Sequence, residues 1–347
     1  MPSCLDFVEH PAPDEAGVIR RIADEMTRVA RDYNASGNPP FRRAAHAKHH
    51  GLIKADFIVD ADIPPELRHG IFAAPRAYSA WIRFSNSDPS IRHDFFLDAH
   101  GMAIKVLEVP GEKLLESERF ATTHDLVLAD HPVTFARDAA EFEAFARAIA
   151  AGKPWSYFFG GLRGTPHVAM FRRILRTLHR ISSPLAARYW SQTAYRLGPY
   201  TVKYSTAPAS AARAFGLPLS RDYLRMAMAR HLDRSDAAFD FLVQVRTSEE
   251  LPVEDATVEW SEKIAPFVKV ATIRIPRQVF DSPDQLALAE NLSFTPWHAL
   301  PVHQPLGSIN RTRRVVYETI SRLRHEMNGV ERVEPRHLDV PPKGILT

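Results

Sequence analysis

The sequence predicts an α+β fold in which helices surround one antiparallel sheet or barrel. Two blocks of short strand-like segments carry that prediction, one from Phe41 to Val109 and one from Gly198 to Pro276. Both are rich in β-branched and aromatic residues and are broken by Pro, Gly and Asn/Asp turns. Helical periodicity before, between and after these blocks sets the order helix, strands, helices, strands, helix. With 347 residues and 45% hydrophobic content the chain can bury a large core.

Taken in order, Asp14 to Asn34 reads as an amphipathic helix, with Val18, Ile22, Met26 and Val29 at helical spacing before the SGNPP breaker. RAAHAK, GLIKADFIV, AYSAWIRFS and HGMAIKVLEV then read as strands. The apolar run before Asp130 reads as one more strand. A helix is expected from Pro132 to Gly152, with Asp130 or His131 as its cap. Phe171 to Leu197 reads as further basic helices interrupted at Ser182, Ser183 and Pro184. GPYTVKYS, DFLVQVRT and FVKVATIRIP form the second strand run, and the Pro-rich link FTPWHALPVHQPLG leads into a last helix over SINRTRRVVYETISRLRHEMNG. The expected division is an N-terminal helical arm over 1–38, a main domain over 39–334 and a loose tail over 335–347.

The formal charge is only +3 and Lys and Arg are spread along the chain, which argues against a nucleic-acid partner. The N-terminus lacks the charged and apolar regions of a secretory signal, and no stretch approaches the roughly 18 uninterrupted apolar residues of a membrane span. The single cysteine, Cys4, excludes an intramolecular disulfide and fits a reducing compartment. A cytoplasmic location is the resulting expectation.

On the last helix, Tyr317 lies roughly 40° and Arg324 roughly 20° around the axis from Arg313, so the three share a narrow face. Ile309, Val316, Ile320 and Leu323 form the neighbouring apolar stripe, with Arg314, Glu318 and Arg322 on the far side. A guanidinium near a phenol favours its charged form, which could serve a ferric ion. The helix alone equally allows a surface face with a snorkelling Tyr and ordinary arginines. His46, flanked by alanines, leaves room above a flat ligand, yet the residues also allow an ordinary core or surface histidine. His46, His49 and His50 together could instead form a transition-metal cluster, although His49 and His50 read as solvated. On the strand WIRFSNSD, Arg83 and Ser85 share one face and Phe84 takes the other.

Taken together, five segments resemble the haem catalases, and more closely the short, single-domain catalase-related bacterial proteins. FRRAAHAK is similar to the family's Arg-x-x-His-Ala-Lys strand, and WIRFSNSD to its Arg-Phe-Ser strand. DAHGMAIKVLEV resembles Arg-Gly-Phe-Ala-Val-Lys, LADHPVTF resembles Asn-x-Pro-x-x-Phe, and RTRRVVYETISRLR resembles Arg-x-x-x-Tyr with a distant Arg in register. The resemblance spans roughly Pro39 to Asn328.

It implies a catalase-like antiparallel β-barrel with surrounding helices and haem b between the barrel and the C-terminal helix. Further implications are His46 as distal acid-base, Ser85 behind it, Tyr317 as iron ligand and Arg313 as its partner. Arg43, Arg83 and Arg324 would meet propionates, and Phe135 would lie near the haem. The family's distal Asn is Asp130 here, Ala99-His100 precede Gly101, and Glu318, Thr319 and Ile320 follow the tyrosine in place of an Asp-Thr stretch. The family reading thus gives a peroxidase with reduced catalase turnover, acting on hydrogen peroxide or an organic hydroperoxide with an unidentified electron donor. A homodimer is expected and NADPH is not. Two alternatives stand beside it. One is an allene oxide synthase-like enzyme of fatty-acid hydroperoxides, against which Ala45 counts because a Thr is usual there. The other is a non-catalytic haem-binding protein.

Overall fold

Residues 8–37, 39–160, 167–209 and 220–340 are described by a computed structural model. The chain begins with α1 (Glu15–Tyr33) and continues through four long strands, β1 (His49–Val59), β2 (Ala77–Asn86), β3 (His100–Val106) and β4 (His124–Ala129). Three helices follow, α2 (Ala139–Ala150), α3 (Pro154–Phe159) and α4 (Val168–Thr177). Next come the short β5 (Tyr189–Trp190) and β6 (Tyr195–Leu197), then β7 (Tyr200–Pro208) and α5 (Tyr223–Leu232). The chain finishes with β8 (Ala237–Val245), β9 (Phe267–Ile275), α6 (Pro283–Asn291) and α7 (Ser308–Asn328).

All pairings are antiparallel, in the order β5-β4-β3-β2-β1-β9-β8-β7-β6, and a further β5–β7 pairing closes eight strands into a barrel with β6 appended. Closure removes the edges that an open sheet would expose. Alternation along the strands decides which side chains enter the barrel. Ala80, Ile82 and Phe84 of β2 and Met102, Ile104 and Val106 of β3 join the interior core, where Phe57, Phe72, Tyr204 and Phe241 pack ring against ring. Arg83 and Ser85 therefore face outward, toward the helix layer, as their strand spacing predicts.

The helix layer is built on α7. Its Val316, Ile320 and Leu323 pack with Ile19, Ile22 and Ala23 of α1 and with Phe41 and Ala44 of the segment before β1. Gly329, in the left-handed region at φ 61°, ends α7 where a Cβ would be strained.

Four expectations are corrected. RAAHAK is not a strand; β1 starts at His49. The helix expected at Pro132 starts at Ala139, because the capping chemistry sits later: the Asp138 carboxylate accepts the Glu141 N–H at 2.9 Å, and Glu141 Oε2 accepts the Arg137 N–H at 2.6 Å. Helix persists from Val168 only to Thr177, and Tyr189 to Leu197 instead contributes β5 and β6, whose barrel pairings override local propensity. Residues 335–340 are not loose: Leu338 and Val340 pack near Trp81, and Trp81 Nε1 donates to the His337 carbonyl at 3.3 Å. Cys4 and 341–347 lie outside the described residues.

Candidate active site

His46 sits on the loop leading into β1 with φ 55°, a left-handed conformation that costs a non-glycine residue free energy. Two hydrogen bonds hold it there: its N–H donates to the Ser87 carbonyl at 2.9 Å, and Arg83 Nη2 donates to its carbonyl at 2.9 Å. Ser85 Oγ lies 3.1 Å from His46 Nδ1, which orients the ring and directs Nε2 to the other side. The imidazole fits because the residue opposite Ser85 on β3 is Gly101; a Cβ there would stand 2.8 Å from His46 Cε1 and Nδ1. Burial pushes the His46 imidazole down to about 4, with Arg83, Arg313 and Arg43 acting the same way and Asp130 opposing.

Three guanidiniums converge on the C-terminal end of α6. Arg83 Nε donates to the Ala289 carbonyl at 3.2 Å, Arg324 Nη2 to the Asn291 carbonyl at 3.0 Å, and Arg43 Nη2 to the Leu292 carbonyl. Helix-end carbonyls carry partial negative charge and suit cations. The one carboxylate among them is Glu290, 3.2 Å from Arg43 Nη1. Burial pushes all three guanidiniums down from their ordinary value. Three cations against one carboxylate leave about two positive charges uncompensated, a set suited to a dianionic ligand.

On α7, Arg313 stands one turn before Tyr317. Its guanidinium donates to Thr193 Oγ1 at 3.1 Å, Gln192 Oε1 at 3.1 Å and Asn310 Oδ1 at 3.4 Å, all neutral acceptors. Arg313, Tyr317, His46 and Phe135 each keep part of their surface accessible, whereas Val316 and Ile320 are buried. Phe135 anchors an aromatic cluster, its ring centroid 5.8 Å from Phe142 and 5.2 Å from Phe145. Arg43, Arg83, Ser85 and His46 thus come together on the outer side of β2. Arg324 joins the same cluster from α7.

Asp130 is placed differently from a helix cap. Its Oδ1 accepts the His100 N–H at 2.8 Å, and its Oδ2 lies 2.6 Å from His100 Nδ1 and 3.0 Å from His179 Nε2. Burial pushes this carboxyl up, but the His100 and His179 contacts outweigh it and hold it at about 2. His49 and His50 are buried rather than solvated, and they form no common ligand set with His46. His50 Nε2 bonds Asn86 Oδ1 at 2.7 Å, while His49 Nε2 stands 3.9 Å from Glu290 Oε2.

Sequence reasoning missed Glu290, Gln192, Thr193 and His179. Each comes from a segment distant in the chain, and only Glu290 carried a signal, as an acid late in the apolar stretch LALAENLSF.

No protein-family model matches the sequence, and no curated protein matches it. Among solved structures 124 chains match. A fungal catalase has a TM-score of 0.65 at 17% identity over 90% of this chain and 66% of its own length. Catalase A from Saccharomyces cerevisiae has 0.65 at 17% over 94% and 70%, and a bacterial catalase has 0.59 at 16% over 92% and 63%. The chain has the catalase fold and spans about two thirds of these catalases. No helix among the described residues is long and apolar enough to cross a membrane.

Gly101→Ala should displace the His46 ring and cost about 1–3 kcal/mol, as overpacking does. Urea unfolding measures the loss, and an unchanged midpoint would mean that Gly101 does not define the His46 pocket.

Proposed function

We propose that this catalase-fold chain is a haem-dependent, peroxide-processing oxidoreductase of the catalase-related peroxidase type. The observation that carries the reading is the excess of buried guanidinium charge at Arg43, Arg83 and Arg324, which matches the two propionates of haem b. Tyr317 would hold the iron, and Arg313, one turn before it on α7 and hydrogen-bonded among the described residues to neutral acceptors, brings a positive charge to the same helix face. Phe135 would contribute apolar surface to the ring. The chemistry such a group would supply when bound is cleavage of the peroxide O–O bond, which an anionic protein ligand favours.

His46 is the residue that moves protons. Held neutral by burial, its imidazole can take a proton from an incoming hydroperoxide, and the same proton is then available to the departing oxygen. Ser85, beside Nδ1, positions the ring for that exchange. Asp130 is ionised and its oxygens are engaged by His100 and His179, so it has no proton to donate toward peroxide. A distal side with one proton-transferring group and a nearby negative charge favours reduction of peroxide by an external donor over its disproportionation.

The optical spectrum of haem-supplemented protein, followed by peroxide addition at an oxygen electrode, tests this reading. Wild type should show a Soret band with ferric-tyrosinate features, and Tyr317→Phe should lose those features together with peroxide consumption. Absence of a Soret band in wild type would remove the haem assignment. Peroxide consumption should persist in acid until about pH 4, where His46 becomes charged; an acid limb near 6.5 would exclude His46 as the base. Asp130→Asn should raise the rate of oxygen release from peroxide by about 100-fold, the lower end of the scale on which one preorganised donor acts. Unchanged oxygen release would show that the carboxylate does not limit disproportionation.

A further inference from the structure

Residues 144–221 contain twelve Lys or Arg and no Asp or Glu, although the whole chain is nearly balanced at +3. Cations are spread over the chain, but carboxylates are excluded from this stretch, which includes α3 and α4. Its surface also carries large apolar side chains that ordinary solvated helices bury. Trp155 is 67% exposed, Phe159 52% and Leu175 51%. Trp155 stacks on Phe159 at 6.1 Å with nearly parallel rings, and both meet Phe171, so they form one aromatic cluster rather than scattered residues.

A second exposed apolar segment lies beyond the other end of α4. Phe95, Phe96 and Leu97 are all exposed, and they are tied to the end of α4 by Arg180, whose guanidinium lies 3.9 Å over the Phe95 ring while Nε donates to the Phe95 carbonyl at 2.7 Å. A β-bridge between Asp98 and His179 fixes the same junction. Around these apolar groups the cations stay outward. Arg173 is paired with Glu141, whereas Lys153, Arg172 and Arg176 are exposed and among the described residues form no ion pair.

We propose that this face docks on the surface of an anionic phospholipid bilayer. Trp and Phe at the boundary of a basic helix are the residue types that lodge at the headgroup level, and exposed Lys or Arg beside them gains from anionic lipid. A second copy of the chain fits the face less well. A two-fold interface would set arginines against arginines, with no carboxylate from this stretch to separate them. The inference rests on surface chemistry alone and is independent of the haem assignment.

Co-flotation of the full-length protein with vesicles tests it, using phosphatidylcholine alone or mixed with phosphatidylglycerol. Binding should require phosphatidylglycerol and weaken as salt is raised. The double change Arg172→Glu and Arg176→Glu should weaken it by at least roughly 30-fold, given about 1 kcal/mol for each basic residue near an anionic surface. Trp155→Ala should weaken it without removing its salt dependence, in protein whose urea-unfolding midpoint shows it folded. No binding to the anionic vesicles at low salt, or binding unaffected by these changes, overturns the proposal. So does light scattering that shows a wild-type dimer which Trp155→Ala converts to monomer, since a second copy would then cover the face.

Discussion

The convergence of Arg43, Arg83 and Arg324 on the end of α6 is the constraint on which the arrangement of this molecule depends. It ties the loop before β1, the outer face of β2, α6 and α7 to one small volume. Burying guanidiniums is costly, and carbonyls at a helix end together with one carboxylate offset only part of that cost. The barrel and helix layer are thereby held in register around a site with surplus positive charge. Any ligand that completes the site must bring negative charge to it.

On the same outer side of β2, geometry separates two groups that could have shared a role. Gly101 and Ser85 make a slot in which His46 is held in one orientation and kept weakly basic. Asp130, at the end of β4, is drawn instead to His100 and His179 and stays ionised. A neutral imidazole and a permanently charged carboxylate within electrostatic reach of each other define the proton chemistry available. In the proposed function this separation makes His46 the only distal proton carrier. Two histidines supply the partners that the buried Asp130 carboxylate requires.

The distribution of charge adds a second level of organisation. Around the arginine cluster, buried cations are met by backbone carbonyls and Glu290. Across α3 and α4, exposed aromatic side chains accompany the exposed Lys153, Arg172 and Arg176, and acidic residues are missing. The interior cations order the site, and the surface ones give one face of the helix layer an electrostatic identity of its own.

Much of this was legible in sequence. β-Branched and aromatic segments bounded by turn residues marked β1, β2, β3, β4, β7, β8 and β9, and the 3.6-residue stripe of α7 identified its buried Val316, Ile320 and Leu323. The resemblance to the haem catalases singled out His46, Arg83 and Ser85, which the structure brings together on the outer side of β2. Other features were not legible. The left-handed turn at His46, the burial of His49 and His50, the short strands β5 and β6 and the role of Glu290 all depend on partners far along the chain. By itself the sequence determined where the long strands and α7 lie, because that follows from neighbours within a few positions. Only the tertiary structure decided that three arginines share one helix end and that Asp130 pairs with histidines, because hydrogen bonds and charge interactions act through space between segments that the chain keeps far apart.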